Sequence, residues 1–151
     1  MIAETSSITK DNKNVFVVHG HDMATLHELC RILKDEFELN PVVLSEQPSV
    51  GLDTIISKFE RLASDCFCAI ILLTSDDKIE NEKNNRARQN VIFELGYFLG
   101  MLRSPDERKI IILKKGDVEI PSDISGVLYC QFQNSVTEVY YQLQKQFEIW
   151  Q

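Results

Sequence analysis

The sequence lacks any hydrophobic run long enough to cross a membrane. No apolar stretch approaches the roughly 20 residues that a membrane-spanning helix needs. The first 14 residues, MIAETSSITKDNKN, are polar and contain no apolar core of a signal peptide. We therefore expect a cytoplasmic protein without membrane contact, in which residues 1–13 are a disordered leader and residues 14–151 form one domain.

A surplus of basic residues is also absent. The 151 residues include 16 lysines and arginines against 23 aspartates and glutamates, which gives a formal net charge of −7. Broad nucleic-acid binding requires a basic surface that displaces counterions, so no nucleic-acid partner is expected. A small anionic ligand is still compatible with this charge, because it needs only one local positive pocket.

Cysteines and histidines are few and do not form a metal-binding pattern. Cys66 and Cys68 lie two residues apart, but no second cysteine pair occurs at ligand spacing. His19 and His21 are also two apart on a predicted loop, with no third ligand nearby in the sequence. We therefore expect free, buried thiols in a reducing compartment and no metal site.

Apolar residues occur instead in short runs that alternate with helical stripes. Five runs predict strands, over residues 15–18, 41–44, 67–74, 109–113 and 127–132. Stripes such as Leu26, Leu29 and Leu33 predict helices between them, and residues 75–86 are expected to form a polar loop. This alternation predicts an α/β fold with a flavodoxin-like, five-stranded parallel sheet in the order 2-1-3-4-5, and helices on both faces.

Ligands bind such sheets outside the carboxyl ends of the strands, which directs attention to the first three loops. Asp22 can cap the helix after the first strand, and the amides at that helix N-terminus favour an anionic group. The second loop has no lysine followed by serine or threonine after its glycine, so it is not a P-loop. The candidate binding residues on these loops are His19, Gly20, Asp22, Ser49, Gly51 and Asp76.

A single carboxylate stands in the most apolar helical segment, RQNVIFELGYFLG, where Glu94 has Val, Ile, Phe, Leu and Tyr around it. Burying a bare carboxylate is costly, so Glu94 needs either a partner or a chemical role. Asn90 lies four residues earlier on the same helix face. Two interpretations stay open. Glu94 is a structural carboxylate in an ion pair, or it stabilises an oxocarbenium-like state or attacks as a nucleophile.

Four blocks together resemble a known family: VFVVHGHD, SEQPSVGLDTIISKFE, FCAIILLTSDD and RARQNVIFELGYFLG. They are similar to the bacterial TIR-like domains that are fused to bacterial STING and to other cyclic-nucleotide-triggered antiphage effectors. The resemblance covers residues 14–132 and implies a TIR-like domain over residues 14–151. It also implies cleavage of NAD⁺ at the nicotinamide–ribose bond, which yields nicotinamide and ADP-ribose or a cyclised product.

The same resemblance implies roles for individual residues. Glu94 matches the catalytic glutamate, and the loop of residues 45–51 is expected to close over the site. The expected substrate-binding residues are His19, Gly20, Asp22, Ser49, Gly51, Asp76 and Asn90. NAD⁺ is then a substrate, and no cofactor is implied. The expected partners are further copies of the chain, through TIR–TIR contacts, and a sensor that is separate or lies elsewhere in a longer protein.

Two alternatives to an NAD⁺ nucleosidase remain. One is a nucleoside deoxyribosyltransferase-like enzyme, which uses a glutamate nucleophile on a similar fold and would leave NAD⁺ intact. The other is a non-catalytic module that binds a nucleotide or assembles with partners. Analysis of reaction products separates the two enzymes, and the non-catalytic module would show no turnover.

Overall fold

The computed structural model describes residues 12–46, 55–75, 77–78, 85–86, 96, 109–119 and 128–150. Its strands are β1 (Asn14–Val18), β2 (Asn40–Val43), β3 (Cys68–Leu73), β4 (Asp77–Lys78), β5 (Asn85–Arg86), β6 (Ile110–Lys115), β7 (Val118–Glu119) and β8 (Leu128–Phe132). Its longer helices are α1 (Met23–Asp35), α2 (Ile55–Ser64) and α3 (Tyr140–Trp150). Short 3-10 helices lie at Leu44–Glu46 and Val136–Val139.

Five of these strands form a parallel sheet in the order β2-β1-β3-β6-β8. This is the predicted order 2-1-3-4-5, and the predicted flavodoxin-like, TIR-like architecture is confirmed. All six residues of β3 are buried, because helices cover the sheet on both sides. The unbroken apolar run of this strand follows from that double coverage.

Alternation along the strands divides the core into two clusters, one on each face of the sheet. The first cluster joins strand residues such as Val17 and Leu72 to α1 and α3. The second joins Phe16 and Ile71 to α2, where the Phe16 and Phe59 rings meet edge to face with their centroids 5.3 Å apart. The sheet is therefore held from both sides by apolar contacts.

The predicted stripe on the first helix is confirmed. Leu26, Leu29 and Leu33 lie at three- and four-residue steps and are fully buried against the sheet. The helix ends at Asp35, and Phe37 follows it and stacks on Tyr140, with a centroid distance of 5.0 Å. This stacking joins the end of α1 to the start of α3.

Two local predictions were wrong. The segment 75–86, expected to be a loop, contains β4 and β5, which pair antiparallel, and β5 pairs in parallel with β7. β4 and β5 are two residues long and have polar sequences, so no apolar pattern in the sequence indicated them. The fourth predicted strand also extends two residues further than expected, to Lys115, because its pairing with β8 continues to that residue.

The cysteines are all free thiols, as expected. Burial raises the pKa of Cys66 to about 12, and the charge of Asp65 adds to the effect. Burial also raises the pKa of Cys30 to about 11. Both thiols stay protonated at neutral pH, which makes them poor nucleophiles. Among the described residues, no helix combines the length and the apolar character needed to span a membrane.

Candidate functional site

The loop between β1 and α1, residues 19–22 (the first loop), lies where β1 reaches the carboxyl edge of the sheet. Its last residue, Asp22, caps α1. The carboxylate Oδ1 of Asp22 accepts a hydrogen bond from the Thr25 amide at 3.1 Å, and Oδ2 accepts one from the Thr25 hydroxyl at 2.8 Å. The predicted helix cap is therefore confirmed, and the N-terminus of α1 is fixed at this edge.

A lysine that is distant in the sequence also donates hydrogen bonds to this cap. Lys115, the last residue of β6, donates from Nζ to Oδ2 of Asp22 at 2.8 Å and to Oγ1 of Thr25 at 2.9 Å. Both charged side chains are only partly exposed, and Thr25 is buried. The first loop is thereby tied to the fourth strand of the sheet by a charged pair.

The contacts with Lys115 and Thr25 favour the ionised form of Asp22. Partial burial raises the pKa of this carboxyl, but the hydrogen bonds from Lys115 and Thr25, with the positive charge of Lys115, outweigh that effect. The pKa of Asp22 therefore lies below its usual value of 3.8. The carboxylate stays ionised at neutral pH and keeps both its cap and its ion pair.

This depressed pKa predicts how an Asp22→Asn variant responds to pH. Asparagine caps helices about as well as aspartate but cannot pair as an anion with Lys115. We expect the variant to lose about 0.5–1 kcal/mol of unfolding free energy at neutral pH. Because the folded pKa is lowered, the carboxylate stabilises the protein above 3.8, and this contribution disappears as the pH falls through the folded pKa.

Urea unfolding of both proteins at neutral and acid pH measures this difference. The gap between wild type and Asp22→Asn should close on acidification, because protonated Asp22 resembles asparagine. A gap that is equally large at both pH values would mean that the ion pair with Lys115 does not stabilise the fold.

His19 has a defined tautomer in its neutral form. Its Nδ1 lies 2.7 Å from the carbonyl oxygen of Gly20, and a carbonyl can only accept a hydrogen bond. Nδ1 therefore carries the hydrogen, and the neutral ring presents Nε2 as an acceptor. Gly20 is buried and His19 is half-buried.

A cleft of about 290 Å³ opens at the carboxyl edge. It is lined by Asp22 after β1, Thr74 and Ser75 after β3, and Lys115 with Gly116 and Asp117 at the end of β6. Since β2 and β3 lie on opposite sides of β1, the strand order reverses between β1 and β3, and the cleft extends from this switch point across the ends of β6 and β8. Open α/β sheets bind their ligands at such positions.

Of the predicted site residues, Asp22 lines the cleft together with the residues that follow β3. His19 and Gly20 lie on the adjoining first loop and are not among the residues that line the cleft. Ser49, Gly51, Asp76, Asn90 and Glu94 lie outside the described residues. Gly96, two residues after Glu94, has helical backbone, in agreement with the helix predicted there.

The contribution of β6 to the candidate site was not predicted from the sequence. Lys115, Gly116 and Asp117 line the cleft, although the fourth strand was expected to end at residue 113. Gly116 has a φ of +67°, a left-handed conformation that favours glycine, and it turns the chain into β7. The feature of the sequence that could have indicated this contribution is the pair Lys114 and Lys115, which directly follows the apolar residues 110–113.

The fold and the position of the cleft define a class: a TIR-like α/β domain with its candidate site at the carboxyl edge of a parallel sheet. Sequence comparison then identifies the family. The sequence profile described as "CAP12/Pycsar effector protein, TIR domain" matches residues 14–134. The chain belongs to this family of bacterial antiphage TIR-like domains.

Individual relatives agree with the profile. The chain is 44% identical over 124 residues to the uncharacterized protein YuaY of Escherichia coli K12, a match that covers 80% of this chain and 40% of that protein. It is 31% identical over 127 residues to CD-NTase-associated protein 12 of Sphingobacterium faecium, covering 80% of this chain and 36% of the relative. The chain thus spans less than half the length of these two relatives.

Solved structures with low sequence identity share the fold. The SEFIR domain of the IL-17 receptor B superposes with a TM-score of 0.53 at 14% identity, covering 88% of this chain and 95% of that domain. A 2-desoxiribosyltransferase from Leishmania mexicana also superposes with a TM-score of 0.53, at 12% identity, covering 88% and 97%. At such identities these likenesses concern the fold alone.

Proposed function

We propose that this domain is an NAD⁺ nucleosidase that acts as an antiphage effector when copies of it assemble. The observation that carries the proposal is the family match over residues 14–134, which includes the first loop and the segment around Glu94. A third relative, 36% identical over 75 residues, is a Pycsar effector protein of Pseudomonas aeruginosa. That match covers 48% of this chain and 24% of the relative.

In the proposed reaction, the bond between the nicotinamide nitrogen and the ribose carbon breaks. Its electron pair goes to the nicotinamide ring, which leaves as a neutral molecule and needs no proton. Positive charge then develops on the ribose, and the Glu94 carboxylate stabilises it or bonds to the same carbon. Water adds to that carbon and loses a proton, which gives ADP-ribose. Attack by a group of the substrate itself would instead give a cyclised product.

The described residues offer suitable contacts for the remainder of NAD⁺. Nε2 of His19 can accept a hydrogen bond from a ribose hydroxyl, because Nδ1 is bonded to Gly20. Gly20 adds no side chain beside this position. We assign Asn90 to orienting Glu94 or the substrate, and the loop with Ser49 and Gly51 to closing the site.

Assembly is the proposed form of regulation. The matches to YuaY and to CD-NTase-associated protein 12 cover 40% and 36% of those relatives, so the two proteins contain much more than the matched domain. We propose that a signal received outside the TIR-like domain, such as a cyclic nucleotide, brings copies of the domain together. Neighbouring copies then complete the site. The partners of the domain are accordingly further copies of itself and its substrate NAD⁺.

Nicotinamide release from NAD⁺ tests the proposal directly. Purified domain is incubated with NAD⁺ over a wide range of protein concentration, with and without a fused oligomerising segment, and the products are separated by chromatography. We expect release that rises more steeply than protein concentration and is restored at low concentration by the fusion. The same separation distinguishes ADP-ribose from a cyclised product.

Two outcomes would contradict the proposed nucleosidase, and each would indicate a different function. Intact NAD⁺ under enforced assembly would contradict the nucleosidase and favour a binding or assembly module. Exchange of bases on deoxyribonucleosides, with NAD⁺ left intact, would identify a deoxyribosyltransferase-like enzyme instead.

A further inference from the structure

Lys115 joins two segments that are far apart in the sequence and adjacent at the carboxyl edge. Its ammonium group donates to Asp22 and Thr25, which lie 93 and 90 residues away. Asp22 ends the first loop, and Thr25 is in the first turn of α1. The lysine therefore contacts the cap and the first turn of one helix together, from the end of a strand in the sheet.

The hydrogen bonds around this cap leave it little freedom. Oδ1 of Asp22 accepts from the Thr25 amide, and Oδ2 accepts from the Thr25 hydroxyl and from Lys115. The Thr25 hydroxyl donates to Asp22 and accepts from Lys115, so each of these three groups contacts the other two. Such a closed network holds the carboxylate in one orientation. The Asp22 carboxylate already accepts three hydrogen bonds within the chain, so we assign it to holding the first loop.

We propose that Lys115 is a positioning residue for the NAD⁺ site, which acts by holding Asp22 and thereby the first loop against the end of β6. This inference rests on the proposed function and extends it to a strand that the sequence did not connect with the site. Fixing the loop keeps Gly20 and the His19 ring in the arrangement that receives the substrate. Without the lysine, only a fraction of the molecules would hold the loop in the arrangement that binds substrate. The apparent affinity for substrate would fall in proportion to that fraction.

The neighbouring Lys114 provides a matched control. It lies on the same strand, carries the same charge and is also half-buried. Successive residues of a strand point to opposite faces, so Lys114 faces away from the cap that Lys115 contacts. Lys114→Met therefore removes one positive charge beside the site without touching Asp22, and it measures the general effect of charge on binding of the anionic substrate.

The test compares steady-state kinetics of the domain fused to an oligomerising segment. The proteins are wild type, the single variants Lys115→Met, Lys114→Met and Asp22→Asn, and the double variant that combines Asp22→Asn with Lys115→Met. We expect Lys115→Met to raise KM for NAD⁺ about fivefold and to change kcat less than about twofold, since a hydrogen bond contributes about 1 kcal/mol. Lys114→Met should leave both constants near wild type. In the Asp22→Asn background, Lys115→Met should have a clearly smaller effect on KM than in wild type, because the lysine then keeps only its contact with Thr25 and a weaker one with the asparagine.

Two kinetic results would overturn the inference. One is a KM in Lys115→Met that equals wild type or is matched by Lys114→Met. The other is a full effect of Lys115→Met in the Asp22→Asn background, which would mean that the lysine acts independently of the cap. Urea unfolding of each variant confirms that the compared proteins are folded.

A measurement without turnover separates this inference from the proposed function. Two-dimensional amide NMR spectra of the ¹⁵N-labelled domain are compared for wild type, Lys115→Met and Lys114→Met. The amide resonances of residues 19–25 should shift in Lys115→Met and stay unchanged in Lys114→Met, and amide exchange at Thr25 should accelerate only in the former. Unchanged resonances would overturn the positioning role even in an active enzyme. A wild type that leaves NAD⁺ intact while these shifts occur would contradict the nucleosidase alone.

Discussion

Glu94→Gln is expected to abolish nicotinamide release while leaving the free energy of unfolding nearly unchanged. Glutamine has almost the same shape as glutamate but carries no negative charge and is a poor nucleophile. It therefore cannot stabilise an oxocarbenium-like ribose or form an adduct with it. Loss of a group with this role lowers kcat by about 10³-fold or more. Chromatographic measurement of nicotinamide, beside wild type under enforced assembly, gives the result.

The stability of the same variant distinguishes a catalytic from a structural carboxylate. If Glu94 belonged to a buried ion pair, removing its charge would cost about 3–5 kcal/mol, because the partner would stay buried and unpaired. Glu148→Gln is a matched control: the same chemical change on α3, at an exposed position. Since α3 runs back from the carboxyl edge, Glu148 lies toward the opposite end of the domain. Urea unfolding of both variants should show losses within about 0.5 kcal/mol. A large loss in Glu94→Gln alone would contradict the catalytic assignment.

Phe16→Ala is expected to cost about 3–5 kcal/mol of unfolding free energy. The Phe16 side chain is fully buried and fills the layer between β1 and α2, where it meets the Phe59 ring edge to face. Truncation removes apolar contact on both sides of this layer and leaves a cavity that the sheet cannot close, because β1 is paired on both edges. Urea or thermal unfolding followed by circular dichroism measures the loss.

Tyr141→Ala is the control for Phe16→Ala. Tyr141 is also aromatic, but 81% of its surface is exposed, and it lies on the outer side of α3. The change should alter stability by no more than about 0.5 kcal/mol. A loss below about 1 kcal/mol in Phe16→Ala, or an equal loss in the two variants, would mean that the α2 face of the sheet does not stabilise the fold as described.

Several elements could be predicted because their determinants are local. The apolar run of β3 and the leucine stripe of α1 follow from burial at periods of two and 3.6 residues, and those periods are visible in any short window of sequence. Asp22 as a helix cap is likewise a local property, because its partner is the amide three residues later. The alternation of strands and helices predicted a parallel sheet, and five strands in such a sheet are typical of the flavodoxin-like order 2-1-3-4-5.

The small sheet of β4, β5 and β7 could not be predicted in the same way. Its strands are two residues long, and the residues Asp77, Lys78, Asn85 and Arg86 show no apolar alternation. Strand pairing itself consists of backbone hydrogen bonds, and every residue except proline has both the donor and the acceptor. Such a sheet therefore forms where the fold places two segments side by side, and the hydropathy of the sequence does not indicate where that is.

The class of fold, the two apolar faces of the sheet, the cap of α1 and the membership of the family can all be predicted from the sequence, since each depends on local periodicity or on a linear motif. Which residues meet at the carboxyl edge depends instead on how the strands pair. Lys115 becomes part of the site because the pairing of β6 with β8 carries the strand past its apolar run. Its ammonium group then reaches a carboxylate 93 residues away. A charged contact of that kind depends on the register of neighbouring strands, which forms only when the sheet does.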